Sequence, residues 1–497
     1  MNRSASHRFT HAFLAAGSLA LLAAAPAHAQ WSNSADAPLV VADAANGQVQ
    51  PKIATAPDGS YYVSWFDGQV GSFSIYLQHL DTQGNELWPH GGVLVATRSY
   101  MSTTDYGLGV GADGNAYLAY NCCANNDDDE HIQVNRVDAD GTLPWDTGVT
   151  VSAPASTDPV YNAYVTATGD GDIAVIWSAE SGARVQKLTT DGTLLWASGG
   201  VPVSTTTAGT FLAGDVHSNA TGDVIASWVY QAGPFLRALY TQKLAAADGT
   251  ALWDPAGVRV FGVGAVQLGY YPPFVDDGAG GGVFYDYDTT ALMFVPRVQH
   301  VAADGTLLLG TNGVVATTDT SINHTDTKAA YNAATGDIYV LWRDSYTAGG
   351  ADYDGLSAQR VDASGMLQWG DTGKVVVEPA DSTDSTLSLS QLTAMPTADG
   401  FVASWVTGAF PAADNPITAA RMDSDGNFVW PSQTVAVKNL HGTARTGVTA
   451  AADGALVYVW TDTTGGDGTG QIQAQRLNLD GSLGGSDRIF EDGFDGP

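Results

Sequence analysis

The chain has 497 residues, 52 Asp+Glu against 20 Lys+Arg, and a formal net charge of −32 at pH 7. A surface that acidic repels nucleic-acid phosphates and anionic lipid headgroups, which argues against both as partners and favours cations. With 58 Gly and 20 Pro, and no apolar run of membrane-spanning length, the composition points to a turn-rich β protein.

Residues 1–29 read as a secretory signal. Arg3 and Arg8 give a positive start, residues 12–25 are apolar, and Ala27-His28-Ala29 is a small-x-small cleavage site. The mature chain then begins near Gln30 and is expected in the periplasm or outside the cell. The next segment, WSNSADAPLVVAD (31–43), has the form of the tail of a longer unit: a tryptophan, a short loop, then an apolar strand.

The full unit follows and recurs. In SIYLQHLDTQGNELWPHGGVLVAT (74–97) a strand-like run meets a tight turn, a second run with a tryptophan, and a third short run after Gly-Val. The turn glycines are Gly84, Gly141, Gly192, Gly249, Gly305, Gly365, Gly426 and Gly481. Upstream of each unit sits another hairpin, such as IATAPDGSYYVSWFD (53–67), with an Asp-Gly or Gly-Asp turn between β-branched and aromatic runs.

All thirteen tryptophans fall on two ladders of eight rungs, spaced about 51 to 63 residues apart. The first is Trp31, Trp88, Trp145, Trp196, Trp253, Leu309, Trp369, Trp430. The second is Trp65, Tyr120, Trp177, Trp228, Tyr287, Trp342, Trp405, Trp460. Four short strands per period of this size describe one propeller blade. The expected fold is all-β: an eight-bladed β-propeller over residues 30–485, four antiparallel strands per blade, followed by a tail (486–497). The eighth unit lacks its tryptophan, with Gly485 at that rung, so Trp31 and the strand Leu39 to Val41 are expected to complete the last blade and close the ring. A ring closed on itself suits a monomer.

Five positions before each turn glycine (six in one case) the residue is basic: His79, Arg136, Lys187, Lys243, His300, Arg360, Arg421, Arg476. Long basic stems packed between blades and pairing with turn aspartates explain this ring without a ligand.

Candidate functional residues lie in the other loops. The only cysteines, Cys122 and Cys123, are adjacent in YNCCANNDDDEH. Export favours their oxidation to a small ring that stiffens one loop or covers a ligand. Asp127, Asp128, Asp129 and Glu130 in the same loop are candidate Ca²⁺ ligands, although the spacing is not that of an EF-hand. Two Gly/Asp loops, SYTAGGADYDG (345–355) and TDTTGGDGTG (461–470), occupy the equivalent place in later blades. On the face where second-to-third-strand loops meet interblade loops, the candidates are Tyr106, Tyr161, Tyr270, Tyr271, His324, Asp326, His441 and Arg445. Aromatic and acidic loops suit a sugar or a cation. No nucleophile–base order, His-x-x-x-His pair or phosphate loop is present.

The repeat resembles the tryptophan-docking repeat of quinoprotein-like eight-bladed propellers, in which an Asp, a short gap, a Gly and a Trp four residues on recur in each blade. Asp81-Gly84-Trp88, Asp138-Gly141-Trp145 and Asp362-Gly365-Trp369 carry the likeness, with the first gap one residue shorter than usual. Phrases such as RVDADGTL are also similar to delta-60 type bacterial repeats. The catalytic members of the quinoprotein family imply a quinone, Ca²⁺ and an adjacent-cysteine ring. Here the cysteines follow the second strand of a blade in different surroundings, and the family's Ca²⁺ ligands and catalytic Asp have no matching positions. The expected function is therefore that of the non-enzymatic members: a scaffold binding a protein or carbohydrate. A quinone- or Ca²⁺-dependent oxidoreductase is the alternative.

Overall fold

The computed structural model describes residues 30–485, except 46, 69–72, 99–105, 123–129, 154–158, 207, 234–235, 268–271, 291, 409–413 and 464–469. Eight four-stranded antiparallel sheets follow one another along the chain. Blade 1 consists of Gln48–Thr55, Tyr61–Asp67, Ser74–Leu80 and Val93–Ala96, from the inner strand outward. Blade 8 consists of Thr443–Ala450, Leu456–Asp462 and Gln471–Leu477, and its outermost strand is the N-terminal Leu39–Ala42. That strand pairs Leu39 with Ala474 and Val40 with Gln473. The ring closes as its sequence anticipates.

Eight apolar clusters fill the eight spaces between neighbouring blades. The cluster that shuts the ring joins Val457, Val459 and Ala474 of blade 8 to Tyr61 and Trp65 of blade 1, with Trp31 among them. Both faces of each central strand are buried: the second strands of blades 1, 2, 3 and 8 are buried at every residue. This is why those strands are apolar without alternation.

The two ladders have different tasks. A first-ladder tryptophan docks on the next blade. Its indole N–H donates to a turn carbonyl there: Trp31 to Thr82 (3.0 Å), Trp88 to Ala139 (3.1 Å), Trp196 to Ala246 (3.0 Å), Trp369 to Ser424 (2.9 Å) and Trp430 to Leu479 (2.9 Å). The ring lies flat on the turn glycine of that blade. A Cβ at Gly84 would stand 2.8 Å from Trp31, and one at Gly249 would stand 2.9 Å from Trp196. The turn glycine is thus fixed twice, by a φ near +80° and by its neighbour's tryptophan.

The second ladder fills the blade interiors, and one rung differs from expectation. Trp65 faces Tyr76, which faces Leu94; in blade 5 the same register places Asp286 opposite Arg297 and Val315. The fifth rung is therefore Asp286, not Tyr287. The second strand of blade 5 ends two residues past the rung, as in blade 1, and its last aromatic falls one residue beyond the rung. In place of an aromatic, the rung carries a buried ion pair, with Arg297 Nε and Nη2 donating to Asp286 at 2.6 and 2.9 Å.

The basic ring is structural. Lys187 pairs with Asp170 and Asp172, His300 with Asp277 (3.0 Å), Arg360 with Asp337 (3.1 Å), Arg421 with Asp399 (2.8 Å) and Arg476 with Asp453. Beside it runs a buried amide ladder that sequence inspection missed: Gln78, Asn135, Gln186, Gln242, Gln299, Gln359 and Gln475. Gln186 is typical. Its Oε1 accepts the Trp196 backbone N–H (3.1 Å) and its Nε2 donates to Ala197 O (2.9 Å). The amides clamp the loops that carry the first-ladder residues, Leu309 in the case of Gln299.

Candidate functional site

The turns between first and second strands, and between third and fourth, fall on one face. The connections after the second strand, and those between blades, fall on the other, where the candidate residues were expected. Two of the candidates are core residues. Tyr106 is fully buried, packs on Phe66 at 4.6 Å, bonds Ser64 Oγ (2.9 Å) and donates to Gln50 O (3.1 Å). His324 is also buried. Its Nδ1 lies 2.6 Å from Asp344, whose carboxylate also accepts Trp342 Nε1–H (2.8 Å) and Ser357 Oγ–H (2.5 Å). This closed network supplies the indole of blade 6 with an acceptor. The indoles of Trp65, Trp177, Trp228 and Trp460 have none among the described residues.

Tyr161, Asp326 and Arg445 lie on inner strands at a common irregularity. Pairing with the second strand slips between Tyr161 and Tyr164, between Thr325 and Lys328, and between Ala444 and Gly447. Asp326 and Arg445 have left-handed backbones (φ 52° and 53°), as do Gln50, Asn162 and Gln391 at the matching bulges. Asp326 pairs with Arg343 at 3.3 Å. Arg445 is exposed, and Gln391 bridges blades by accepting the Thr446 N–H at 2.6 Å. A bulge rotates side chains locally, so these polar residues encircle the inner end of the ring.

His441 stands at the junction of blades 7 and 8. Its Nδ1 is 3.2 Å from buried Asp462. Below it Lys438 is buried, donating to the His441 and Gly442 carbonyls (2.9 and 3.0 Å) and to Thr443 Oγ1. Burial pushes the Lys438 ammonium down to about 8, with Asp462 and Asp414 opposing the shift. The arrangement is a capped cation inside a loop, which holds that loop shut.

Cys122 is 3% exposed at the end of a strand, disulfide-bonded, and packed in the apolar cluster between blades 1 and 2. Glu130 is buried and accepts from Asn121 Nδ2 at 2.9 Å. Cys123, Asp127, Asp128, Asp129, Tyr270 and Tyr271 lie outside the described residues, as do the signal segment and the tail. Among the described residues no three His, Cys, Asp or Glu side chains are grouped to hold a metal ion, so they do not assemble the Ca²⁺ seat that the quinoprotein likeness implies. The loop SYTAGGADYDG forms the tip of a long hairpin, with Tyr346 stacked on Tyr353 at 5.0 Å.

A further departure from the repeat is in blade 4, at a cavity none of whose lining residues was a candidate. A cavity of about 340 Å³ opens at the outer edge of blade 4, lined by Tyr230, Leu236, Arg237, Tyr240, Arg259 and Thr290 among others. Cross-strand pairing builds its wall: Trp228 faces Tyr240, which faces Arg259. The outermost strand, Val258–Arg259, is two residues long as in blades 2, 3 and 5, but the third strand, Leu236–Leu244, has nine residues where theirs has seven. The extended part of that strand meets a loop instead, through Val266 N–H···O Arg237 (3.2 Å). The gap beside the extended third strand is the cavity.

No family model matches the chain, and no curated protein matches it. Similar solved structures include the Dos1 propeller, at 11% identity over 88% of this chain and 95% of that one, with a TM-score of 0.45. The polysaccharide lyase Uly1 is similar at 11% identity over 87% and 90%, with a TM-score of 0.42. A protein of unknown function from Dyadobacter fermentans DSM 18053 is similar at 8% identity over 88% and 96%, with a TM-score of 0.38. The chain is an eight-bladed β-propeller; membership of a particular repeat family is not shown.

Proposed function

We propose that the protein is an exported, non-catalytic propeller scaffold that binds a carbohydrate or protein partner through its loop face. One observation carries the reading. The turn face repeats the same docking bond from blade to blade, while the loop face varies and contains a cavity walled by two partly exposed tyrosines. Rigid aromatic rings with hydrogen-bonding tips suit the apolar faces and hydroxyls of a sugar. The tryptophan-docking likeness supports the same conclusion, since the non-enzymatic members of that family are scaffolds.

The test is a glycan array probed with the mature protein, repeated with Tyr240→Ala. Saccharide binding that disappears in the variant, with a cooperative melting transition retained, is the expected result. Binding that survives Tyr240→Ala places the ligand elsewhere on the ring. Consumption of a bound saccharide would overturn the non-catalytic reading. Export is tested separately, by N-terminal sequencing of protein recovered outside the cytoplasm: a start at Gln30 is expected.

A further inference from the structure

We infer that the cavity at the edge of blade 4 is a subsite for a carboxylated sugar, with Arg259 holding the carboxylate and Tyr240 the ring. This rests on the scaffold reading above and narrows it to one ligand class.

The first argument is a reversal of charge. Acids outnumber bases 52 to 20 in the chain, yet the cavity lining contains two arginines and no Asp or Glu. The acids behind it are already occupied. Asp286 is held by Arg297, and Asp288 accepts from Thr290 Oγ1 (2.7 Å), Thr290 N (2.9 Å) and Ala265 N (3.2 Å), with Arg297 Nη1 at 3.5 Å. None of these contacts involves Arg259.

The second argument is an unmade hydrogen bond. Arg259 Nε is shielded from solvent and has no acceptor among the described residues. The Nε atoms of Arg343, Arg360, Arg421 and Arg476 also make no hydrogen bond there, but each of those guanidiniums is paired with an aspartate, whereas Arg259 pairs with none among the described residues. Its one hydrogen bond among them is long, Nη2 to Gly264 O at 3.4 Å. A shielded guanidinium with neither a good acceptor nor a counter-charge is costly, so it calls for a partner. A carboxylate is the matching acceptor, because its two oxygens fit the planar fork. Arg237 differs: it is buried and anchored by Nε to Val266 O at 3.0 Å, so it adds fixed positive charge to the same wall.

The third argument selects a sugar over a bare anion. Tyr240 stacks on Trp228 (5.7 Å, 20°) and meets Tyr230 edge-on (6.0 Å, 85°), so its ring is immobilised beside Arg259. Leu236 at the rim is 67% exposed. A carboxylate alone would leave that apolar wall in water. A sugar acid covers it with C–H groups while its carboxylate reaches Arg259.

The experiment is titration calorimetry of the mature protein with tri-galacturonate and a hyaluronan tetrasaccharide, each beside its methyl ester, which keeps the sugar and removes the charge. At least one acid is expected to bind at least tenfold more tightly than its ester. Arg259→Gln should abolish that preference while leaving the ester's weak binding, Arg259→Lys should keep part of it, and Tyr240→Ala should weaken acid and ester alike. Melting curves of the variants establish that they fold. Equal binding of acid and ester, a preference that persists in Arg259→Gln, or no binding of either acid overturns the inference. A neutral glycan that binds and is lost in Tyr240→Ala, with no acid preference, overturns the carboxylate assignment and leaves the scaffold reading standing.

Discussion

On the turn face, Trp88 and Trp369 sit five blades apart and make the same bond to the same carbonyl of the next turn, at 3.1 and 2.9 Å. On the loop face, the connection after the second strand is two residues in blade 3 (180–181), whereas in blade 6 the strands Asp337–Ala348 and Ala351–Val361 run on as a long hairpin. The two faces answer different demands. The turn face must transmit identical packing around a closed ring, because an error at one interface opens all of them. The loop face is not tied to one repeated interblade contact and is free to vary. A residue repeated at every blade therefore argues for structure, and a blade that breaks the pattern argues for function. Blades 4 and 5 break it twice, in the second and third strands of blade 4, which run well past their two-residue outer strand, and in the Asp286–Arg297 rung.

If ring closure dominates stability, removing residues 30–43 should have the largest effect of any change. It takes away the outer strand of blade 8 and Trp31, which docks on Gly84 of blade 1. Loss of a cooperative melting transition is expected. A deletion that melts like the full chain would show that the seam is not a structural necessity.

Alkali should act next most strongly, through tyrosines on the turn side of the blades. Burial raises the Tyr62 and Tyr117 hydroxyls well above the ordinary range, and pushes Tyr339 up to about 12. The folded state thus keeps protons that the unfolded chain releases above pH 10, so stability is complete below pH 10 and is lost as pH rises toward the folded values. Denaturation midpoints measured from pH 8 to 12 should fall steeply beyond pH 10, and less steeply in Tyr339→Phe. A flat profile would mean these rings are hydrated.

Trp196→Ala should cost about 3–5 kcal/mol, the range for emptying a large aromatic site. The ring is 6% exposed and spans blades 3 and 4. A loss below about 1 kcal/mol in chemical denaturation would make the docking bond incidental. A finer comparison uses two turn glycines. Gly84→Ala and Gly365→Ala both incur the left-handed penalty of about 1–2 kcal/mol. Only at Gly84 does the new methyl meet a docked tryptophan at 2.8 Å; at Gly365 it meets Val314 at 3.1 Å and Leu309 at 3.4 Å. Gly84→Ala should be worse by about 1 kcal/mol or more. Equal losses would reduce the glycine's role to its backbone angle.

Much of the turn face was legible in sequence because its signals are local. The turn glycine and the tryptophan four residues on lie in one hairpin, so their spacing survives in the chain. The glutamine ladder has an equally regular offset, but a glutamine ordinarily reads as surface, and only the structure shows Gln186 enclosed between Trp196 and Ala197. The rung at Asp286 was misassigned because an aromatic one residue along imitated the pattern. The cavity was illegible for another reason. Tyr230, Tyr240, Arg259 and Thr290 are scattered over sixty residues, and they meet only through strand pairing and a third strand that outruns the outer one. The loop-face candidates show the converse: Tyr106 and His324 lie near loops in sequence but are buried in space, Tyr106 between blades 1 and 2 and His324 within blade 6.

The smallest effect is expected at Cys122 and Cys123. Cys122 is disulfide-bonded and the chain has two cysteines, so mass spectrometry should find the pair joined to each other. A crosslink between neighbours in sequence restricts the unfolded chain very little, since disulfide stabilisation grows with the length of the loop closed; about 1 kcal/mol or less is at stake. Cys122 also sits in the cluster with Phe66, Tyr106 and Tyr120, where an alanine can replace it without introducing a polar atom. Reduction, or alanine at both positions, should leave the melting curve nearly unchanged. A large loss would mean that the bond fixes the end of the second strand of blade 2 against blade 1, which would extend the strict packing rules of the turn face to the loop side of that blade.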